Sequence, residues 1–244
     1  MPREIKKMQF EVDWVKIWLE ENEYSLEDYF KKGRHGHVTV KINSNNQLTI
    51  ESSGRVVKTP TYLGGITPEN FDIFYQEIRK LGIIVSKETL LNARITQLDV
   101  KRDIHWGKNT KLSNIISSLR ERAISNSSRF HMILFNKRVG VANSLLIKSR
   151  TKTVVDSLTV YNKFEEMYVN RKDPSKYWDS FNDEFKDSIR DVLRFERRIK
   201  RVNRLRKALH LDKKDKVNLK AVFDCKFDIL FEKIDQHFDI GGLE

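Results

Sequence analysis

The residues of this chain with the clearest chemical use lie at the end of one alternating stretch. In Ser157–Glu166, SLTVYNKFEE, Leu158 and Val160 alternate with Thr159, Tyr161 and Lys163 before the run reaches Glu165 and Glu166. On a strand, Tyr161 and Lys163 share one face. A phenol there can attack phosphorus, and an ammonium beside it can hold phosphate oxygens. Transfer of a phosphodiester to tyrosine also requires removal of a proton whose pKa is about 10 in water. It further requires charge neutralisation in the transition state, which cationic side chains or a divalent metal ion supply.

Two more stretches place polar residues where an apolar strand would not. In Arg94–Ile104, RITQLDVKRDI, Asp99 and Asp103 fall on one face. In Val192–Lys200, VLRFERRIK, Leu193, Phe195 and Ile199 share one face while Arg194, Glu196 and Arg198 share the other. The carboxylates Asp99, Asp103 and Glu196 suit Mg2+ or Mn2+, which prefer oxygen ligands. Lys163, Arg194 and Arg198 would cover the phosphate charge. A structural alternative stands beside this reading: Asp99 paired with an arginine of a neighbouring strand, and Tyr161 as a sheet-edge aromatic. His35 and His37 form a His-x-His pair, but they flank a glycine at a strand entrance and read as a turn or surface feature. His105 shares the face of Asp103 and is a candidate third ligand.

The elements that must position these groups can be read from periodicity. Met8–Leu19 reads as an opening strand, Glu20–Gly33 as a helix stopped by glycine, and HVTVKI and QLTIES as a hairpin turning at Asn43–Asn46. Thr67-Pro-Glu opens a helix with Phe71, Phe74, Ile78 and Leu81 at helical spacing, closed by Gly82. Arg94–Ile104 is a strand and Lys111–Ala123 a helix. Strands come next at Arg129–Asn136, Asn143–Lys148 and Val154–Tyr161. Asp173–Ser188 reads as a helix, Val192–Lys200 as a strand, Arg201–Leu209 as a basic helix, and Val217–Phe238 as one or two amphipathic helices. The expected fold is α+β, a predominantly antiparallel sheet flanked by helices, with a C-terminal basic and amphipathic helical segment.

Composition narrows the partners. The 244 residues carry 46 Lys and Arg against 34 Asp and Glu, a formal net charge of +12, which favours a polyanion. The excess is concentrated: between Lys186 and Lys220 there are 14 Lys and Arg against 5 Asp and Glu. Arg201 and Arg204 would lie along one side of the basic helix, fit to track a phosphate backbone. The single Cys225 rules out an internal disulfide and a Cys-rich zinc site. No apolar run approaches the roughly 20 residues of a membrane span, and Met1–Trp14 lacks the apolar core of a signal peptide. The expected workplace is the cytoplasm of the host cell, with no membrane partner.

Three stretches in this order, ITQLDV, LTVYNKFEE and VLRFERRIK running into a basic helix, resemble the replication initiator of filamentous phages, the gene II/X group. The YNK triplet is also similar to the nicking site of plasmid rolling-circle initiators. The resemblance covers roughly residues 90–212. It implies that Tyr161 is the nucleophile, that Lys163 assists it, and that Asp99 and Glu196 hold the metal, with Asp103 as a secondary ligand. Lys148–Lys152, KSRTK, resembles a basic turn of the same families, so Arg150 and Lys152 join Arg194, Arg198, Arg201 and Arg204 as expected DNA contacts.

The expected protein is a rolling-circle replication initiator, a metal-dependent nicking and strand-transfer enzyme with a 5′-phosphotyrosyl intermediate. Its partner would be replication-origin DNA, as a hairpin or single strand, with host helicase and polymerase beside it. A nicking domain would occupy residues 1–210, with 91–210 as its catalytic core, and a helical extension 211–244. Two alternatives share the charge: a non-enzymatic DNA-binding regulator, and a hydrolytic nuclease that uses Asp99, Asp103 and Glu196 with water.

Overall fold

The computed structural model describes residues 7–57, 64–107, 111–125, 130–134, 144–149, 156–169, 179, 181–225, 227–232 and 235. Among them the strands are β1 (Lys7–Leu19), β2 (Ser25–Leu26), β3 (Gly33–His35), β4 (Val38–Ile42), β5 (Leu48–Ser53), β6 (Ile83–Ile84), β7 (Arg94–His105), β8 (Phe130–Leu134), β9 (Ser144–Ser149), β10 (Asp156–Asn162) and β11 (Val192–Ile199). The helices are α1 (Phe71–Arg79), α2 (Lys87–Asn92), α3 (Leu112–Ser125), α4 (Lys163–Val169), α5 (Asp183–Ile189), α6 (Val202–Ala208) and α7 (Leu219–Asp224). The fold is α+β, with antiparallel ladders flanked by helices. No helix among the described residues is long and apolar enough to cross a membrane.

The chain forms two compact units. Unit 1 comprises Met1–Phe10, Lys101–Arg197 and Phe231–Glu244; unit 2 comprises Glu11–Val100 and Arg198–Leu230. The boundary therefore falls inside β1, after Phe10, inside β7, after Val100, and inside β11, after Arg197.

In unit 2 the strands run in the order β3-β4-β5-β1, each antiparallel to its neighbour. Ile50 faces Val40 on one side and Ile17 on the other, so strict alternation sends Val38, Val40, Leu48, Ile50, Val15, Ile17 and Leu19 into the core. The hairpin turn is closed by Asn43, whose side-chain oxygen accepts from the backbone N–H of Asn45 and Gln47 at 3.0 and 2.9 Å. Helix α1 ends at Arg79, and the chain leaves it through Gly82, the expected glycine stop, whose φ of +80° is left-handed. There a side chain would press on Tyr29 and Phe30 at 3.1–3.3 Å.

The stretch expected as a helix over 20–33 is not one. Glu20 and Glu23 cap each other's backbone and close a single 3-10 turn over Glu21–Glu23, after which Ser25–Leu26 pairs antiparallel with Ile84 and Ile83. The segment has no apolar stripe to bury at helical spacing, so tertiary strand pairing prevails.

In unit 1, β10 pairs with β9 and β9 with β8, all antiparallel, with Tyr161 opposite Ser144 and Val160 opposite Leu145. Helix α3, where a helix was expected, buries Leu112, Ile115, Ile116, Leu119 and Ala123. Of the helix expected over 173–188, the described part is α5, capped by Asn182 accepting from Phe185 N–H at 2.8 Å; most of the remainder lies outside the described residues. In unit 2 the amphipathic segment from 217 gives α7, capped by Asn218, followed by a 3-10 turn at Phe227–Leu230.

Candidate active site

β10 delivers Tyr161 by simple alternation, but it ends one residue later. Lys163 is therefore not on the strand; it is the first residue of α4. The cause is Asn162, whose side-chain oxygen accepts from the N–H groups of Phe164 and Glu165 at 3.0 and 3.3 Å. These bonds satisfy helix N–H groups that have no partner within the helix. Glu165 and Glu166 then occupy the first turn, where negative charge is favoured. Lys163 turns inward, almost fully buried, and its Nζ donates to Glu166 Oε2 at 2.7 Å while lying 5.9 Å from the centre of the Tyr161 ring. Proximity of Tyr161 and Lys163 survives, by a different backbone route from the one expected.

The Tyr161 hydroxyl donates a hydrogen bond to Glu196 Oε1. Burial, reinforced by the Glu196 charge, holds the phenol well above its ordinary pKa. The resting tyrosine is therefore neutral, with its proton aimed at a carboxylate. Glu196 retains partial exposure, 29% for its side chain, whereas the phenol is buried.

Arg194, two residues before Glu196 on β11, is 3% exposed, as is the Asp103 side chain it meets. Its Nε and Nη2 donate to the two Asp103 oxygens, both at 2.7 Å, leaving Nη1 4.0 Å from Glu196 Oε1. Burial alone would neutralise Asp103, but the guanidinium outweighs it and keeps the carboxyl below the usual range. Reciprocally, burial opposes the charge on Arg194, while Asp103, with Glu196 adding to it, holds its pKa well above the ordinary value. The buried Lys101 adds a further positive charge felt by Asp103. Tyr161, Arg194, Asp103 and Lys163, all buried, and the partly exposed Glu196 and Glu166 thus form one polar cluster within unit 1.

The remaining expected site residues are scattered. Asp99 belongs to unit 2, where its Oδ2 accepts from Arg198 Nε at 2.7 Å; this arginine pairing is the structural alternative to metal binding. Arg198 is half exposed, at 53%. Arg201 and Arg204 are exposed on α6, Arg201 preceding its first residue. Arg150 and Lys152 lie outside the described residues. His35 meets the Lys31 carbonyl oxygen at 2.7 Å through Nε2. His105 faces Asp191, at 3.3 Å, and not Asp103; the other Asp191 oxygen accepts from the Gly107 N–H.

A divalent cation asks for several oxygens converging on one point. Among the described residues no group of three or more His, Cys, Asp and Glu is placed to hold one. Asp103 is occupied bidentately by Arg194, Asp99 by Arg198, and Glu196 by the Tyr161 hydroxyl. The carboxylates as arranged do not fit a metal centre, and the chemistry they offer is proton acceptance and the clamping of arginines.

Two contributors were not among the expected site residues: Glu166, the partner of Lys163, and Lys101, buried beside Asp103. The signal that could have found Glu166 is Asn162-Lys-Phe-Glu-Glu, a helix-capping pattern that sets Lys163 and Glu166 three apart on one helical face.

No family model matches this chain, and no curated protein matches it. Among solved structures, the rolling circle replication initiator protein from Geobacillus stearothermophilus is similar at 12% identity and a TM-score of 0.39, covering 80% of this chain and 76% of that one. A likeness of that strength assigns no residue role.

Proposed function

We propose that this chain nicks and rejoins DNA at a specific site to start rolling-circle replication, with Tyr161 as nucleophile. The observation that carries the reading is the buried Tyr161 hydroxyl donating to the partly exposed Glu196 within a cluster of charged side chains. A tyrosine that serves only packing needs no such neighbours. In the reaction, Tyr161 Oη attacks phosphorus as its proton passes to Glu196. The P–O3′ bond breaks, leaving a 5′-phosphotyrosyl link and a free 3′ end for a polymerase. Arg194 and Lys163 supply positive charge at the phenol before substrate arrives, so little reorganisation is needed. The covalent link conserves the phosphodiester bond energy, so the same group can rejoin ends.

Origin DNA, as a hairpin or single strand, is the proposed substrate, and the exposed Arg198, Arg201 and Arg204 are proposed backbone contacts. Mg2+ or Mn2+ enters the proposal through the family resemblance alone. Host helicase and polymerase are proposed partners on the same ground.

The test is a pool of end-labelled DNA hairpins with randomised single-stranded loops, incubated with wild type and with Tyr161→Phe. A denaturation-resistant protein–DNA adduct in wild type, absent in the variant, is the expected result, and the captured loops identify the sequence cut. Repeating the capture with EDTA tests the metal. Cleavage without an adduct that persists in Tyr161→Phe would replace the transferase with a hydrolytic nuclease. Binding without cleavage would leave a DNA-binding regulator.

A further inference from the structure

Breaking the P–O3′ bond creates a second proton problem, at the oxygen that leaves. Glu196 is engaged with the incoming phenol and accepts a proton there, so the departing oxygen needs a separate donor. Within the polar cluster of unit 1, Lys163 Nζ is a donor that also sits beside the tyrosine, 5.9 Å from its ring centre. Arg194 cannot serve, because a guanidinium does not give up its proton.

We infer that Lys163 is the general acid that protonates the leaving 3′-oxygen, and that Glu166 is the positioning residue that holds its ammonium. The inference rests on the proposed role of Tyr161 and goes beyond it by assigning both proton transfers. In the nicking direction the Tyr161 Oη–P bond forms, the phenol proton goes to Glu196, the P–O3′ bond breaks, and an Nζ proton goes to O3′. Lys163 is left as the neutral amine and the DNA ends in a 3′-hydroxyl. Rejoining runs the same transfers backwards: the neutral Lys163 takes the 3′-hydroxyl proton, and Glu196 returns one to the phenol.

The geometry suits this assignment. Glu166 accepts from Nζ at 2.7 Å from one helical turn along α4, and the side chain lies in the protein interior, so the ammonium is held in one place. The charged groups acting on it are Glu166 from α4, Arg194 and Glu196 from β11, and Asp103 from β7. Burial and then Arg194 lower the pKa of Lys163, against the opposing pull of Glu166 and Glu196. A lowered pKa brings a lysine nearer the range in which general acids work at neutral pH.

The experiment uses the hairpin recovered as a covalent adduct, made once with the normal oxygen and once with sulfur in place of the 3′-bridging oxygen. A thiolate leaves without a proton, so only the oxygen substrate needs the acid. Lys163→Ala is expected to slow nicking of the oxygen substrate by about 10²–10⁴-fold, the usual contribution of such catalysis, and to recover most of the rate on the sulfur substrate. Glu166→Gln is expected to move the loss of activity at alkaline pH to lower pH, because the ammonium loses a stabilising charge, and Glu166→Asp to restore the profile. Equal defects of Lys163→Ala on both substrates overturn the general-acid role, and an unchanged profile in Glu166→Gln overturns the positioning role. Should Lys163→Ala fail to fold by thermal melting, Lys163→Arg keeps the charge but cannot release a proton, and the same rescue applies. Tyr161→Phe separates the two levels: it must be inactive on both substrates, and cleavage of the sulfur substrate by that variant overturns the nucleophile assignment itself.

Discussion

The clearest residue-scale result is that arginines occupy the carboxylates a metal would need. Asp99 and Asp103 are four apart on β7, Arg198 and Arg194 are four apart on β11, and each aspartate meets one arginine. The spacing of both pairs was legible in the sequence; the choice of arginine over metal as partner was not, because it depends on which strand lies alongside. Removing one member of a fully buried pair leaves the other charged and unpartnered, which costs about 3–5 kcal/mol. Asp103→Ala should therefore lower unfolding free energy by about that amount in denaturant titration. A loss below about 1 kcal/mol would show that water already reaches Arg194. The pH dependence comes from the lowered pKa of Asp103. Its contribution is complete above the ordinary carboxylate range and is lost as pH falls through the lower folded value, so wild type should lose stability in acid more steeply than Asp103→Ala. Glu196 makes a different prediction. Glu196→Gln keeps a hydrogen-bond acceptor for Tyr161 but removes the proton acceptor, so adduct formation should slow by about 10²–10⁴-fold with the melting temperature little changed. Equal adduct rates in the two proteins would remove Glu196 from the mechanism.

At the scale of elements, alternation and helical spacing located most of what the site needs. β7, β10 and β11 lie where the pattern put them, as do the hairpin, α1, α3 and α6. Sequence reasoning failed where a short polar motif competes with periodicity. A strand face containing Tyr161 and Lys163 is a fair reading of period two, yet two backbone N–H groups captured by Asn162 end the strand and begin α4. Losing such a cap costs about 1 kcal/mol. Asn162→Ala should show that loss in stability together with a larger fall in nicking, since Lys163 and Glu166 are set by the first turn of α4. A stability loss with unchanged nicking would mean that packing alone positions Lys163. Helix α6 allows a separate test. Arg201, Arg204 and Lys207 are exposed, whereas Arg206 is spent on the Asp215 carbonyl at 3.3–3.4 Å and on Asn203. No Phe, Tyr or Trp occurs from Arg197 to Val222, so the helix offers bases nothing of that kind to stack on and suits phosphates. The double variant Arg201→Ala, Arg204→Ala should weaken DNA binding for all sequences alike. It should reduce the slope of log affinity against log salt by roughly 1–2, near 0.9 per phosphate contact on duplex.

At the scale of the whole molecule, unit 1 is assembled from three separated pieces of chain, and one buried cation touches all of them. Arg102, on β7, lies 6.0 Å from the ring centre of Phe10, 4.8 Å from that of Phe195 and 4.6 Å from that of Phe231. Its two terminal nitrogens donate to the Asp235 oxygens at 2.5 and 2.6 Å. Phe10 comes from the first piece, Arg102 and Phe195 from the second, and Phe231 and Asp235 from the third. Successive residues of a strand point to opposite faces, so Arg102 anchors the face of β7 opposite the one that carries Asp103. A fault in this anchor is therefore expected to reach the site through strand position, without touching a reacting group. The Asp235 side chain is 36% exposed, so Asp235→Ala should cost about 1–3 kcal/mol, the penalty for a donor left partly unsatisfied. Deleting Phe231–Glu244 should cost more, because a ring that packs on the guanidinium leaves with the carboxylate. Hydrogen exchange by mass spectrometry reads where the loss falls. In the deleted protein, amides of 101–105 and 192–197 in unit 1 should lose protection while those of β4 and β5 in unit 2 keep theirs. Uniform loss across both units would show that they unfold as one cooperative block.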